Sequence, residues 1–195
     1  MIDLPDTPGP ADSEWHPLDF GSTRVPPLGG AVQRINRNGN RYAIQVQLPS
    51  LSLSDALRWR ARLTSAVREG ARWKIRQVGL PIASFGDVRV AGAEQTGMFL
   101  TVDGGTAGAP WALGQFVNLI VGGQRYLHQM AEPGAFAADG TATLPLVEPL
   151  RVVPGDNDVI DWAPRIEGFV PQESAVMRIG SDRRGYGGFY IEEMG

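Results

Sequence analysis

Between residues 52 and 70, and nowhere else along this chain, apolar residues recur at helical spacing. Everywhere else the 25 Gly and 15 Pro interrupt the sequence too often for a second helix to run. A chain punctuated this densely buries its apolar residues mainly as short strands joined by turns, so the expected class is mainly β with one helix. The helical stretch reads "SLSDALRWRARLTSAVREG". Ser52 or Ser54 can cap its start, and Gly70 stops it. At 100° per residue, Leu53, Ala56, Leu57, Trp59, Leu63, Ala66 and Val67 gather on one side of a helix over 53–69, and Arg58, Arg62, Ser65 and Glu69 lie opposite. Arg60 falls within the apolar arc and is expected to snorkel or to pair with an acid from elsewhere.

Strand signals flank the helix. In "AVQRINRNGNRYAIQVQLP" (31–49) an Asn38-Gly39 turn separates two alternating runs, which predicts a β-hairpin. Its second run puts Tyr42, Ile44, Val46 and Leu48 on one face. "RWKIRQVG" (72–79) follows as a strand with Trp73 and Ile75 inward. Residues 1–30 are Pro-rich and aperiodic, which predicts an extended arm ordered only against a neighbour. From about Pro81 short apolar runs alternate with turns such as Gly122-Gly123 and Asp139-Gly140, as in an all-β module. After Pro171 two more strands flank a turn read at Gly185, Gly187 and Gly188. The economical topology is a β-sandwich core of 31–80 plus 171–195, an arm of 1–30, and an inserted β-barrel or sandwich module over 81–170.

Charge is segregated. Residues 24–76 hold eleven basic residues against Asp55 and Glu69, a balance of +9; the totals of 18 and 21 then leave seven bases and nineteen acids elsewhere, or −12. Such asymmetry suits nucleic acid, or the basic part of one subunit meeting the acidic part of another. Arg34, Arg37, Arg41, Arg58 and Arg62, with Trp15 and Phe20 of the arm, are the interface candidates. Trp111, Tyr126 and Trp162 are candidate stacking platforms for a carbohydrate.

"RRGYGGFY" (183–190) opens like the aromatic strand of an RNA-binding RRM domain, but Gly188 takes the place of a required aromatic and no second helix exists to complete that fold. "GDNDVID" brings Asp156, Asp158 and Asp161 together without the Gly and closing Glu of an EF-hand loop. His16 and His128 have no Ser or acid in a triad-like context, and "VDGGTAGAPW" (102–111) lacks the Lys and the following helix of a phosphate loop. Glu132, Asp139 and Glu148 are turn or strand-end acids. The residues point to no enzyme, no cofactor and no metal. With no Cys, no run of 18 apolar residues and no signal peptide, the chain is expected to be made in a reducing cytoplasm and to meet no membrane.

The order of several stretches resembles one family. "LDFGSTRVPPLGGAVQRINRNGNRY" is followed by "VQLPSLSLSDALRWRARL" and a basic strand, then "VAGAEQTGMFLTVDG" and "ALGQFVNLIVGGQRYLHQM", then "ADGTATLPLVEPLRVVPGDNDVI" and "PRIEGFV". Together they resemble the distal-tail-type tail-tip proteins of long-tailed (siphophage-type) bacteriophages and prophages. The family's usual "GAGQTG" stands here as "GAEQTG" (92–97). The resemblance implies a virion protein at the tail tip, made in the host bacterial cytoplasm, with no catalytic residues. It implies a homo-oligomeric ring, of hexameric type, that joins the tail tube protein to the hub and receptor-binding apparatus, with the inserted module pointing outward. The alternatives are a carbohydrate-binding tail accessory module, or a head–tail connector that contacts DNA without sequence specificity.

Overall fold

A computed structural model describes residues 1–80 and 84–194. Along the chain it forms β1 (Ile2–Asp3), β2 (Asp12–Leu18), β3 (Ser22–Arg24), β4 (Gln33–Ile35), β5 (Arg41–Gln47), α1 (Leu53–Glu69) and β6 (Ala71–Lys74). Next come β7 (Gly86–Val90), β8 (Phe99–Gly105), β9 (Pro110–Trp111), β10 (Phe116–Val121), β11 (Gln124–Gln129) and β12 (Gly134–Ala135). The remainder is β13 (Ala142–Pro145), β14 (Val159–Asp161), β15 (Arg165–Phe169), β16 (Val176–Ile179) and β17 (Gly185–Glu193). The fold is mainly β: a mixed seven-stranded sheet backed by α1, and a separate curled six-stranded antiparallel sheet.

The large sheet runs β1-β6-β15-β17-β5-β2, and β16 pairs with the first half of β17. Only the β1–β6 pair is parallel. One face carries Tyr42, Ile44, Val46, Trp73, Phe189 and Ile191, all buried, as the alternation of β5 requires. Helix α1 covers part of that face. Ser52 caps it, its hydroxyl accepting from the Asp55 N–H at 3.2 Å, and Gly70 ends it at φ 76°. Ala56, Trp59, Leu63 and Ala66 face inward, and Trp59 stacks on Phe189 at 5.7 Å between ring centroids. The buried stripe is narrower than the sequence suggests. Leu53 and Leu57 lie on its border and stay exposed, and Arg60 is also exposed.

Three expectations about strand pairing are corrected. Residues 1–18 are not a free arm: β1 extends β6, Leu4 enters the core, and β2 pairs with β5 over seven residues. Pro17 does not break that ladder. Its partner Tyr42 turns its N–H the other way, to Glu193, so the missing proline N–H lies on the outer edge of an edge strand. The run before Asn38-Gly39 pairs with β3 rather than β5, making a separate two-stranded hairpin. The C-terminal glycines lie within β17, and the turn is made by residues 180–184, with Arg183 at φ 61°. A Cβ on Gly185 would sit closer to the Cβ of Ala56 than real Cβ atoms approach, so this glycine lets α1 lie on the sheet.

The curled sheet runs β11-β10-β14-β7-β8-β13, and a Met130–Leu146 bridge draws its two edges together at one end. Its own core includes Val88, Val102, Leu119, Leu144 and Trp111. The expected insertion boundary at 170 falls earlier, because β15 pairs with both β6 and β17 inside the large sheet. The expected boundary at 81 adjoins residues outside the described ones.

Candidate interaction surfaces and the seam between the sheets

Strand β11 lies at the edge of the curled sheet, so every second backbone N–H points away from its partner β10. Two glutamates of the large sheet take those hydrogens. The Leu127 N–H donates to Glu193 at 2.7 Å, and the Arg125 N–H donates to Glu167 at 3.3 Å. Glu193 also accepts from the Tyr42 N–H at 3.2 Å and pairs with Arg151, and Glu167 pairs with Arg72 at 2.5 Å. Both carboxylates are buried. They act as a substitute strand for β11.

Amide side chains fasten the two connections in the same way. Asn118 of β10 gives an N–H to the Arg165 carbonyl at 3.0 Å and accepts the Arg165 N–H at 2.6 Å. Gln77 makes the same paired contact with Phe116, at 3.1 and 2.6 Å. Phe116 and Leu127 then leave the curled sheet's own core for that of the large sheet. Phe116 stacks on Trp15 at 4.4 Å and meets Tyr42 edge-on at 5.3 Å. The insertion therefore shares a core with the large sheet.

Buried polar atoms at the seam and in the curled sheet beside it lack partners among the described residues. His128, paired with Val117 in the curled sheet, is 1% exposed, and neither ring nitrogen has a hydrogen-bond partner there. The Tyr42 hydroxyl and Arg151 Nε and Nη1 are likewise buried without a hydrogen-bond partner, and Arg125 Nε has only the Glu167 carboxylate at 3.9 Å. Burial first, and then the Arg151 charge, push the His128 pKa down to about 3. Burial pushes the Tyr42 hydroxyl well above its ordinary value. Burial also raises the Glu193 carboxyl, against the opposing pull of Arg151 and of its hydrogen bonds.

The outer surface offers a different feature. Residues 22–39 are exposed throughout, and β3–β4 is a projecting hairpin. At its tip Leu28 is 97% and Val25 71% exposed, and Phe20, Val32 and Ile35 are also open. Isolated exposed apolar residues are ordinary, but here five fall along one 16-residue stretch with no core beneath them.

The interface candidates divide. Arg34 pairs with Asp19 at the hairpin base, and Arg41 pairs with Glu192 at 2.7 Å while lying over the Phe20 ring at 4.9 Å. Arg58 pairs with Asp55 at 3.8 Å and donates to the Thr7 carbonyl. Arg37 and Arg62 are exposed and make no ion pair among the described residues. Trp15 is half-buried against Phe116. Part of the +9 segment thus serves internal pairs.

The three carbohydrate candidates differ in burial, with Trp111 enclosed and Tyr126 and Trp162 half-buried. Trp111 is 5% exposed and packs edge-on to Phe136 at 5.5 Å. Trp162 is stacked on Phe85 at 4.0 Å, and Tyr126 lies beneath the Arg151 guanidinium at 5.5 Å. Asp156 accepts the Gly92 N–H of the neighbouring loop after β7, Asp158 accepts the Gly155 N–H of its own turn, and Asp161 pairs with Arg125 at 3.3 Å. Among the described residues no group of three His, Cys, Asp or Glu is placed to hold a metal ion, and no helix is long and apolar enough to cross a membrane. Asp139 accepts from the N–H and hydroxyl of Thr141, which lower its pKa.

The seam glutamates and the projecting hairpin were not distinguished by sequence. The "EE" of "YIEEM" carries no mark of burial, and the hairpin's apolar residues read as an arm's. No protein-family profile matches the chain, and a comparison with curated proteins finds no match.

Proposed function

We propose that this chain is a structural subunit of a bacteriophage tail tip, a distal-tail-type protein that assembles in a ring between the tail tube and the hub. The observation that carries the proposal is the projecting β3–β4 hairpin, whose apolar tip has no partner within its own chain among the described residues. Such a projection suits a protein that functions by packing against neighbours. The ordered series of stretches that resembles the tail-tip family supplies the kind of assembly. In this reading the basic residues left over by internal pairing orient the contact with acidic surface of a neighbour.

The test uses purified virions. An antibody to this chain should label the tail tip by electron microscopy. Replacing residues 24–33 with a short Gly/Ser turn should leave the isolated subunit's stability within about 0.5 kcal/mol, because no core residue is removed, while the chain disappears from virions. Labelling of the capsid, or no labelling of particles, would overturn the proposal.

A further inference from the structure

Two surfaces on opposite parts of the chain have complementary character. The first is a groove of about 430 Å³ between α1 and the segment leading into β16. Its floor is apolar, made of buried Leu63 and half-buried Val67, Ala175 and Met177. Its rim is basic: Arg60 and Arg68 are exposed and form no ion pair among the described residues.

The second surface lies on the outer face of the curled sheet. Phe99 is 63% exposed and pairs across the sheet with Pro145. The Leu146 N–H donates to the Met98 carbonyl at 2.8 Å, which keeps exposed Met98 and Val147 beside it. Exposed acids lie on the adjoining loops. Gln95 bonds the Thr101 backbone in both directions, and the Glu94 N–H donates to the Pro154 carbonyl at 3.1 Å, which sets exposed Glu94 on the loop leading into β8. The Ala131 N–H donates to the Pro145 carbonyl at 2.8 Å, placing exposed Glu132 alongside.

We propose that copies of this chain dock head to tail, with the Phe99 patch of one seated in the α1–β16 groove of the next. Apolar protrusion meets apolar floor, and Glu94 and Glu132 meet Arg60 and Arg68. The β3–β4 hairpin is a poor occupant of the same groove, because Arg24 and Arg37 would bring like charge to a basic rim. Since the two surfaces differ, each bound copy leaves one of each free, so the contact propagates and closes into a ring if its rotation permits. The inference rests on the ring-subunit reading for its setting, but the surfaces and the test belong to the isolated chain.

The test is sedimentation velocity on the full chain and two double variants, Arg60→Glu/Arg68→Glu and Glu94→Arg/Glu132→Arg. Wild type should associate with rising concentration. Each variant alone places like charges together and should weaken association about a hundredfold or more. Mixed one to one, the variants restore both kinds of contact, and association should return to within about threefold of wild type. All four positions are exposed, so the fold should survive, and Phe99→Ser provides a charge-neutral check on the patch. A monomeric wild type, undiminished association of either variant, or a mixture that stays monomeric would overturn the docking. If wild type and both variants associate equally, the ring-subunit reading survives with another contact. Loss of tail-tip labelling in virions would instead overturn that reading.

Discussion

His128 should make this protein acid-sensitive in a way that one substitution removes. The ring lies on the face of β11 that pairs with Val117, toward the curled sheet's own core, within reach of the Arg151 charge, and protonation would place a second cation there without a partner. Its pKa falls from about 6.5 to about 3 on folding. Above pH 6.5 the ring is neutral in both folded and unfolded chains, and its contribution to stability is fully present. As pH drops from there toward 3, the unfolded chain takes up a proton that the folded chain refuses, so stability is lost at up to about 1.4 kcal/mol per pH unit. Between pH 7 and pH 5 the loss is about 2 kcal/mol. Glu193 acts in the opposite sense, because its raised pKa favours the folded chain as pH falls. The assay is therefore a difference: urea unfolding of wild type and His128→Leu at pH 7, 6 and 5. Glu193 is common to both proteins and cancels to first order. Wild type should lose about 2 kcal/mol more than the variant over this range, a shift of roughly 1 M in its midpoint. Parallel losses would refute the reasoning and show that water reaches the ring.

Other perturbations follow from the same contacts. Glu193→Ala leaves Arg151 and the Leu127 and Tyr42 N–H groups buried without their acceptor, and should cost about 3–5 kcal/mol in urea unfolding; Glu193→Leu with Arg151→Met should cost clearly less than the single change. Gly185→Ala drives a methyl into Ala56 and should lower stability by about 1–3 kcal/mol, with part of the loss recovered by adding Ala56→Gly. Excising residues 84–164 takes away Phe116 and Leu127 and uncovers Trp15 and Tyr42; the remainder should be insoluble or bind a hydrophobic dye, and a cooperative, soluble remainder would contradict the shared core.

What the sequence disclosed was local. The Ser52 cap, the Gly70 stop and the alternation of Tyr42, Ile44 and Val46 are written in neighbouring residues, and each appears where the spacing places it. Pairing partners are a non-local choice. The Asn38-Gly39 turn forms, yet the strand before it joins β3, because β5 is claimed on one side by β17 and on the other by β2. The prolines of the first 18 residues suggested a free arm, but Pro17 falls on the one side of an edge strand where a missing N–H is harmless. At the seam, Glu167 and Glu193 look like surface carboxylates until a strand 40 to 70 residues away arrives to need them. The aromatic residues of the insertion meet a related limit: stacking platforms and core residues have the same composition, and only packing shows that Trp111 belongs to a core.

The strand order of the large sheet has a consequence for how the chain is made. β1 with β6, and β2 with β5, form early in the sequence but end up on opposite flanks, and β15 and β17 lie between them. While the first 160 residues leave the ribosome, those two flanks have nothing to join them, and Trp59 waits for Phe189. Closure is therefore a late event that brings distant segments together, the kind of pairing that folds slowly and leaves apolar strands open in the meantime. A nascent chain halted before residue 185 would present two separate half-sheets to the cell's chaperones.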